Sequence, residues 1–241
     1  MDLYRFEYCL YCDNPIQPSL GWRDFLFGPK EAFLCPKCEG KLERIEEPAC
    51  RICGRPGKGM DRSFFKDGLC YDCLRWESSG NWKGVLTKNL SLFEYNPFMA
   101  EIIARYKYRG DYILAKIFAE DIKRGLDNLE HDVIVPIPLS PERLKERGFN
   151  QAEALAKEAG AETQPLLLRK HTEKQSKKSR EERIHLPQVF EVKKDGEKWV
   201  RGKRILLLDD IYTTGSTLRH AALALIQKGV KSVSSLTLAR G

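Results

Sequence analysis

The chain of 241 residues is 42% hydrophobic and 31% charged, with a formal net charge of +7. Its length allows one core of ~150 residues plus a small second module, and its composition excludes wholesale disorder. Its apolar runs, such as Val133–Leu139, are far shorter than the ~20 residues of a membrane span. Because no basic segment leads into an apolar stretch at the N-terminus, we expect a cytoplasmic protein without a secretory signal.

All eight cysteines lie within the first 73 residues, in pairs whose members are separated by two residues. This spacing lets both thiolates of a tight turn bind one tetrahedral zinc ion. We therefore predict a double zinc-ribbon-like module over residues 1–78. Its zinc would be structural, because the segment is poor in large aliphatic side chains. The predicted metal ligands are Cys9, Cys12, Cys35, Cys38, Cys50, Cys53, Cys70 and Cys73.

Disulfides are the alternative for these cysteines, and a cytoplasmic location disfavours them. For zinc we favour consecutive pairing, in which the first four cysteines form one site and the last four form the other. The spacing leaves a crossed arrangement open.

The rest of the chain, residues 79–241, alternates between helical and strand patterns. In chain order we predict a helix at Pro97–Tyr108, a helix at Tyr112–Leu126, a strand at residues 132–136, a helix at Ser140–Gly160, short strands at Leu166 and Val189, a strand at Arg204–Leu208, a helix at Ser216–Lys228 and a strand at Lys231–Leu238. This alternation is typical of an α/β fold with a parallel sheet, right-handed crossovers and helices on both faces. In such folds the ligand lies beyond the C-terminal ends of the strands.

The most informative motif is Ile205–Thr217, in which aliphatic residues run into two acids and then into a hydroxyl-rich glycine turn before a helix. The turn offers backbone N–H groups and the positive end of the helix to a phosphate. We predict that it binds phosphoribosyl pyrophosphate (PRPP). Asp209 and Asp210 would accept hydrogen bonds from the ribose hydroxyls and act in catalysis, with Mg²⁺ between ribose and pyrophosphate. The 5′-phosphate would contact Thr213, Thr214, Gly215, Ser216 and Thr217.

Pyrophosphate candidates precede this loop. A turn at residues 136–140 follows the strand predicted at residues 132–136 and leads into a basic helix that carries Arg147. The turn could bind a pyrophosphate at the start of this helix, or it could simply be a proline-rich strand end beside a solvated helix face. Residues 169–183 carry seven Lys or Arg against three Glu, which is typical of an exposed loop or of a lid over pyrophosphate. The predicted pyrophosphate contacts are Pro136, Ile137, Pro138, Leu139, Arg147 and Lys174.

Basic and aromatic residues alternate from residue 105 to residue 109. Such a segment can stack on and neutralise single-stranded nucleic acid, or it can simply end a helix with Tyr106 in the core; both readings stay open. The nucleic-acid candidates are Arg105, Lys107, Arg109, Lys177 and Lys178.

Taken together, these segments resemble the ComF family, whose members join an N-terminal zinc finger to a type I phosphoribosyltransferase domain. The resemblance covers nearly the whole chain and lies in Cys53–Pro56, Tyr106–Asp111, Val135–Leu139, Arg147–Gln151, Lys174–Lys178 and the PRPP loop. It implies a role in DNA uptake during natural transformation. The implied partners are single-stranded DNA and a competence DNA-translocating ATPase of the ComFA type, which would bring the protein to the inner face of the membrane.

One position departs from a related branch. Phosphoribosyltransferases that salvage 6-oxopurines usually carry Asp where Thr213 stands, so the resemblance disfavours that reaction. Two functions stay open: a Mg²⁺-dependent phosphoribosyltransferase of competence with an unknown acceptor, or a non-catalytic DNA-binding or scaffold protein that senses PRPP.

Overall fold

The computed structural model describes residues 7–16, 31–47, 49–169 and 189–241. In the cysteine-bearing half, two short antiparallel hairpins are each followed by a helix whose N-terminus carries a cysteine pair. The elements of this half are β1 (Glu7–Tyr8), β2 (Pro15–Ile16), α1 (Pro36–Glu39), the 3₁₀ turn Arg62–Phe64, β3 (Phe65–Lys66), β4 (Leu69–Cys70) and α2 (Tyr71–Ser78).

The second half is an α/β unit. Its elements are β5 (Asn89–Glu94), α3 (Pro97–Tyr108), the 3₁₀ segment Tyr112–Phe118, α4 (Ala119–Asp127), β6 (Val133–Pro136), α5 (Pro141–Arg147), α6 (Gln151–Glu158), β7 (Leu167–Arg169), β8 (Phe190–Val192), the 3₁₀ turn Lys194–Gly196, α7 (Glu197–Val200), β9 (Arg204–Tyr212), α8 (Ser216–Ile226) and β10 (Ser232–Arg240). Four of the strands form one sheet in the order β5-β10-β9-β6, and every neighbouring pair is parallel. The predicted parallel α/β fold is confirmed.

The aliphatic run of β9 explains how the sheet is buried on both faces. Leu206 and Leu208 enter a core with α3, α4 and α6, whereas Ile205 and Leu207 enter a second core with α8 and β8. Adjacent strand residues point to opposite faces, and a parallel sheet covered on both sides therefore needs an unbroken apolar run. Each core also contains cysteines, the first set in one core and the second set in the other.

Several predicted elements were wrong in detail. The helix predicted at Ser140–Gly160 is two helices, because Gly148 takes a left-handed conformation (φ 80°) and Asn150 caps a new helix. The segment Tyr112–Leu126 begins as a 3₁₀ helix. The short strands near Leu166 and Val189 pair with each other, antiparallel and outside the main sheet. Strand β5 was not predicted at all.

The cysteine-bearing half lies along the outer edge of β5. Residues 43–45 run antiparallel to it: the Ile45 N–H donates to the Leu92 carbonyl at 2.9 Å and the Glu94 N–H donates to the Glu43 carbonyl at 2.8 Å. At the start of the strand, the Asn89 N–H donates to the Ile52 carbonyl at 2.6 Å. None of the helices in the described ranges is long and apolar enough to cross a membrane.

Candidate functional site

The predicted PRPP loop lies at the C-terminal end of β9. Gly215 has a φ of 77° and precedes the first turn of the 11-residue helix α8. A side chain at this position would not fit, because a Cβ would lie 2.1 Å from the Tyr212 hydroxyl and 2.3 Å from Arg219 Nη1. Thr213 is exposed, and the hydroxyl residues from Thr214 to Thr217 are partly exposed. The loop therefore offers hydroxyls and the positive end of a helix to an anion.

The two acids lie on β9 itself and not beyond it, so the strand predicted to end at Leu208 was too short. The Asp210 N–H donates to the Asp209 carboxylate at 2.9 Å. Burial, together with the charge of Asp210, raises the pKa of Asp209 to about 7, while Lys107 acts to lower it. Without a ligand, Asp209 therefore takes up a proton more readily than an ordinary aspartate does.

Lys107 has a contact that its sequence position did not suggest. Its ammonium lies 2.7 Å from an oxygen of the Asp210 carboxylate, and both side chains are largely buried. The contact brings the last turn of α3 against the end of β9, two elements about a hundred residues apart in the chain. Lys107 thus offsets the negative charge of the acid pair.

The predicted pyrophosphate turn lies beside the acids. The Ile137 N–H donates to the Leu208 carbonyl at 2.9 Å, which continues the ladder between β6 and β9. The Asn150 side chain donates to the Ile137 carbonyl at 3.0 Å and also caps α6 by accepting from the Ala152 N–H. Asn150 therefore holds the turn against the following helix, a role that sequence reasoning missed.

Arg147 lies at the end of α5 and is only 9% exposed. It donates to the Gln151 side-chain oxygen at 2.9 Å and stacks over the exposed ring of Tyr108 at 5.7 Å. Its Nε has no hydrogen-bond partner within the described part of the chain. Phe149 packs between Tyr106 and Tyr112, with ring centroids 5.3 and 5.1 Å away. The Arg147–Gln151 motif thus joins the turn to α3.

Arg169, at the end of β7, is a further cation on this side of the sheet. Burial is the main cause that lowers its pKa, and the positive charges of Arg143 and Arg147 add to it, whereas the charge of Asp209 raises it. Arg169 and Asp209 are therefore electrostatic neighbours. From the sequence, Arg169 was interpreted only as the first residue of a basic segment. Lys174, Lys177 and Lys178 of that segment lie outside the described residues.

The nucleic-acid candidates of α3 differ in their surroundings. Arg105 donates to the Tyr11 carbonyl at 2.6 Å and to Asp111 at 3.1 Å, and Lys107 pairs with Asp210. Arg109 is exposed, and Tyr108 is 66% exposed. The contact of these residues with DNA stays a prediction.

The cysteines form two clusters, each with its four sulfur atoms within 4.8 Å of one another. None of the eight forms a disulfide, and the Sγ–Sγ separations include 3.7 Å (Cys12 to Cys35) and 3.5 Å (Cys53 to Cys70). Tetrahedral zinc with ~2.3 Å bonds to sulfur needs separations of about 3.8 Å. Both clusters therefore fit structural zinc, which would cross-link the turn at Cys9–Cys12 to the start of α1 and the turn at Cys50–Cys53 to the start of α2. The first cluster is Cys9, Cys12, Cys35 and Cys38 and the second is Cys50, Cys53, Cys70 and Cys73, the consecutive grouping that we favoured.

The second cluster is surrounded by hydrogen-bond donors. The Cys70 N–H donates to Cys50 Sγ at 3.3 Å. The guanidinium groups of Arg219 and Arg240 lie 3.6 Å from Cys73 Sγ and 3.7 Å from Cys53 Sγ, respectively. Four thiolates around one Zn²⁺ carry a net charge of −2, which two arginines offset.

The parallel sheet, the acid pair and the glycine turn before α8 define a domain of the phosphoribosyltransferase type. The family model of the phosphoribosyl transferase domain matches residues 111–241, and that of the double zinc ribbon domain matches residues 5–74. The chain belongs to the ComF family of competence proteins, because it matches two of them at above 30% identity over nearly their full length.

The first of these relatives is competence protein ComFC of Bacillus subtilis (strain 168), 39% identical over 96% of this chain and 94% of that protein. Competence protein ComFC of Streptococcus pneumoniae is 34% identical over 96% of this chain and 99% of that protein. DNA utilization protein YhgH of Escherichia coli (strain K12) is 25% identical over 86% of this chain and 90% of that protein. The solved allosteric regulatory enzyme of purine biosynthesis matches with a TM-score of 0.34 and 19% identity, over 51% of this chain and only 25% of that one.

Proposed function

We propose that this protein binds PRPP with Mg²⁺ at the C-terminal end of β9 and acts in DNA uptake during natural transformation. The observation that carries the proposal is the acid pair on β9 directly before the Gly215 turn, in a chain whose relatives are named competence proteins. A sugar phosphate needs an anion cradle and acceptors for its hydroxyls, and both are present here within a few residues. The partner we propose in uptake is the competence DNA-translocating ATPase.

Each group has a distinct task in this proposal. Backbone N–H groups and hydroxyls of residues 213–217 bind the 5′-phosphate, and Asp209 and Asp210 bind the ribose hydroxyls. The turn at residues 136–139 and Arg147 bind the pyrophosphate. Arg169, which the sequence did not single out for this role, binds it as well. Mg²⁺, when bound, would supply positive charge that offsets the charge of the pyrophosphate. Positive charge that develops on the sugar as the bond to pyrophosphate breaks is stabilised by the carboxylates.

Isothermal titration with PRPP and Mg²⁺ tests the binding site. We expect a saturable isotherm for the wild type and binding at least ~100-fold weaker for the double variant Asp209→Asn plus Asp210→Asn, because hydrogen bonds to charged groups contribute about 1.5–3 kcal/mol each. Asp195→Asn, an exposed carboxylate on the 3₁₀ turn before α7, is the matched control and should bind as the wild type does. No binding by the wild type, or equal binding by the double variant, would contradict the proposal.

The affinity for PRPP should depend on pH through Asp209. Its pKa is raised to about 7 in the free protein, and a protonated carboxyl accepts hydrogen bonds from ribose more weakly than a carboxylate does. Affinity should therefore fall as the pH drops below 7, by up to about tenfold per pH unit, and level off above pH 8. PRPP phosphates titrate in the same range, so the wild type is compared with Asp209→Asn between pH 5.5 and 8.5. Parallel curves would rule out Asp209 as the source.

Turnover separates the two functions that the sequence left open. A phosphoribosyltransferase releases pyrophosphate continuously when its acceptor is present, whereas a PRPP sensor binds without release. A coupled pyrophosphate assay over a panel of nucleobase and amine acceptors distinguishes them. We propose the catalytic role, with an acceptor whose identity is open.

A second candidate function, contact with single-stranded DNA, is favoured by the exposed Tyr108 and Arg109 beside the site. An aromatic ring and a cation on one surface can stack on a base and neutralise a phosphate. We expect the affinity for an oligonucleotide to fall steeply between 50 and 200 mM salt, as counterion release requires. In fluorescence anisotropy, Tyr108→Ala plus Arg109→Ala should weaken binding, while Lys228→Ala, a cation after α8 paired with Glu197, should not. A flat salt response would count against this function.

A further inference from the structure

The second cysteine cluster touches the predicted PRPP loop through Trp76. This residue lies three positions after Cys73 on α2, so the two side chains share a helix face. The indole N–H of Trp76 donates to the Thr214 carbonyl at 3.0 Å. Trp76 is only 3% exposed. The helix that begins at a metal ligand therefore holds the backbone of the loop directly.

Arg219 makes a second connection between the same two features. It lies in the first turn of α8, is fully buried, and donates to the Tyr212 hydroxyl at 2.5 Å and to Cys73 Sγ at 3.6 Å. Its guanidinium stacks over Trp76 at 5.0 Å. A buried cation requires a compensating charge, and these contacts offer thiolate sulfur, a phenol and an aromatic face. The cysteine cluster is therefore the anionic group beside Arg219.

Loop geometry depends on these side chains because Gly215 lies against them. The positions of the Tyr212 hydroxyl and Arg219 Nη1 leave no room for a side chain at Gly215, and the Arg219 N–H donates to the Gly215 carbonyl at 3.0 Å. Any movement of Arg219 or of α2 must therefore move the turn that precedes α8. The first cysteine cluster lies in the opposite core, against α3.

We infer that Trp76 and Arg219 are positioning residues of the PRPP loop, and that through them the metal-bound state of Cys50, Cys53, Cys70 and Cys73 sets the affinity for PRPP. This inference rests on the proposed function. Loss of the ion frees the start of α2 from the turn at Cys50–Cys53, and both contacts with the loop loosen. Because coupling between two sites is reciprocal, bound PRPP must stabilise the metal in the second cluster by the same factor.

Zinc release from the holoprotein tests this coupling without an activity assay. The transfer of zinc to a chromogenic chelator that does not bind Mg²⁺ is followed over time, with and without saturating PRPP and Mg²⁺. We expect two phases, one per cluster, of which PRPP slows one about tenfold and leaves the other unchanged, because differences in affinity between related complexes lie mostly in the dissociation rate. The variant Cys12→Ser removes a ligand of the first cluster and identifies the phase that remains as that of the second.

The test variant is Trp76→Phe, which keeps an aromatic ring but loses the N–H donor. Its matched control is Trp82→Phe. The rings of Trp82 and Trp76 lie 5.0 Å apart, and Trp82 also contacts the His220 ring. In Trp76→Phe we expect PRPP to slow the second-cluster phase less than threefold and to bind several-fold more weakly by titration. In Trp82→Phe we expect PRPP to slow this phase about tenfold. Asp209→Asn plus Asp210→Asn should show no slowing, which excludes chelation of free zinc by PRPP as the cause.

Two outcomes overturn the inference while leaving the proposed function intact. One is a wild type that binds PRPP by titration but releases both zinc ions at unchanged rates. The other is equal slowing in Trp76→Phe and the wild type. If the wild type fails to bind PRPP at all, the proposed function fails first and the inference fails with it; the titration separates this case from the other two.

Discussion

Replacing Gly215 with alanine is expected to abolish PRPP binding and to lower the free energy of unfolding by at least ~3 kcal/mol. The added Cβ would lie 2.1 Å from the Tyr212 hydroxyl and 2.3 Å from Arg219 Nη1. Both side chains are almost completely buried, so neither can move aside without opening a cavity or leaving its partners. The turn itself must shift, and with it the N–H groups that we assign to the 5′-phosphate.

Urea unfolding and PRPP titration measure the two effects, with Gly202→Ala as the control. Gly202 has a similar φ of 70°, but a Cβ there would meet nothing within 4 Å. It therefore reports the cost of the left-handed conformation alone, about 1 kcal/mol, and should leave PRPP binding unchanged. If the two variants lose equal stability and Gly215→Ala still binds PRPP, the close packing around the turn is not what holds it.

Removal of zinc is expected to have the largest effect on the fold. Structural zinc contributes about 10–16 kcal/mol in isolated zinc-finger peptides, which is comparable to the whole stability of a typical domain, about 5–15 kcal/mol. One cluster belongs to each core of the α/β unit. We therefore expect zinc depletion to disrupt both faces of the sheet and not only the N-terminal half.

Metal analysis should give two zinc ions per chain for the wild type and one for Cys12→Ser or Cys70→Ser. Near-ultraviolet circular dichroism and tryptophan fluorescence follow the packing of Trp76 and Trp82 during chelation, and restored zinc should restore both signals. A zinc-free protein with the unfolding midpoint of the wild type would show that the thiols alone support the cores.

The elements that the sequence predicted well are those whose pattern is local. Four successive aliphatic residues mark β9 wherever the chain places them, and a glycine among hydroxyl residues marks the turn after it. Strand β5 was missed because two of its buried residues, Asn89 and Ser91, are polar. They are satisfied by Ser235 and Thr237 of β10 across the sheet, and no local pattern reveals such a distant partner.

The same distinction applies to the site. The acid pair and the phosphate turn are contiguous in the chain and were predicted residue by residue, whereas their supports come from elsewhere. Lys107 was interpreted only as a nucleic-acid contact because its partner Asp210 is about a hundred residues away. Trp76, whose indole reaches Thr214, lies in the cysteine-bearing half. Sequence indicates the groups that we propose to bind the ligand more readily than the groups that hold them in place.

The strip at residues 43–45 along β5 has a practical consequence for dissecting the protein. A fragment that begins at β5 would keep the four-stranded sheet but would expose its outer edge, where the Glu94 N–H and the Leu92 carbonyl now have partners. Bare edge strands template pairing between molecules. A phosphoribosyltransferase half expressed alone would therefore tend to aggregate, and its insolubility would say nothing about whether the zinc-binding half takes part in the chemistry.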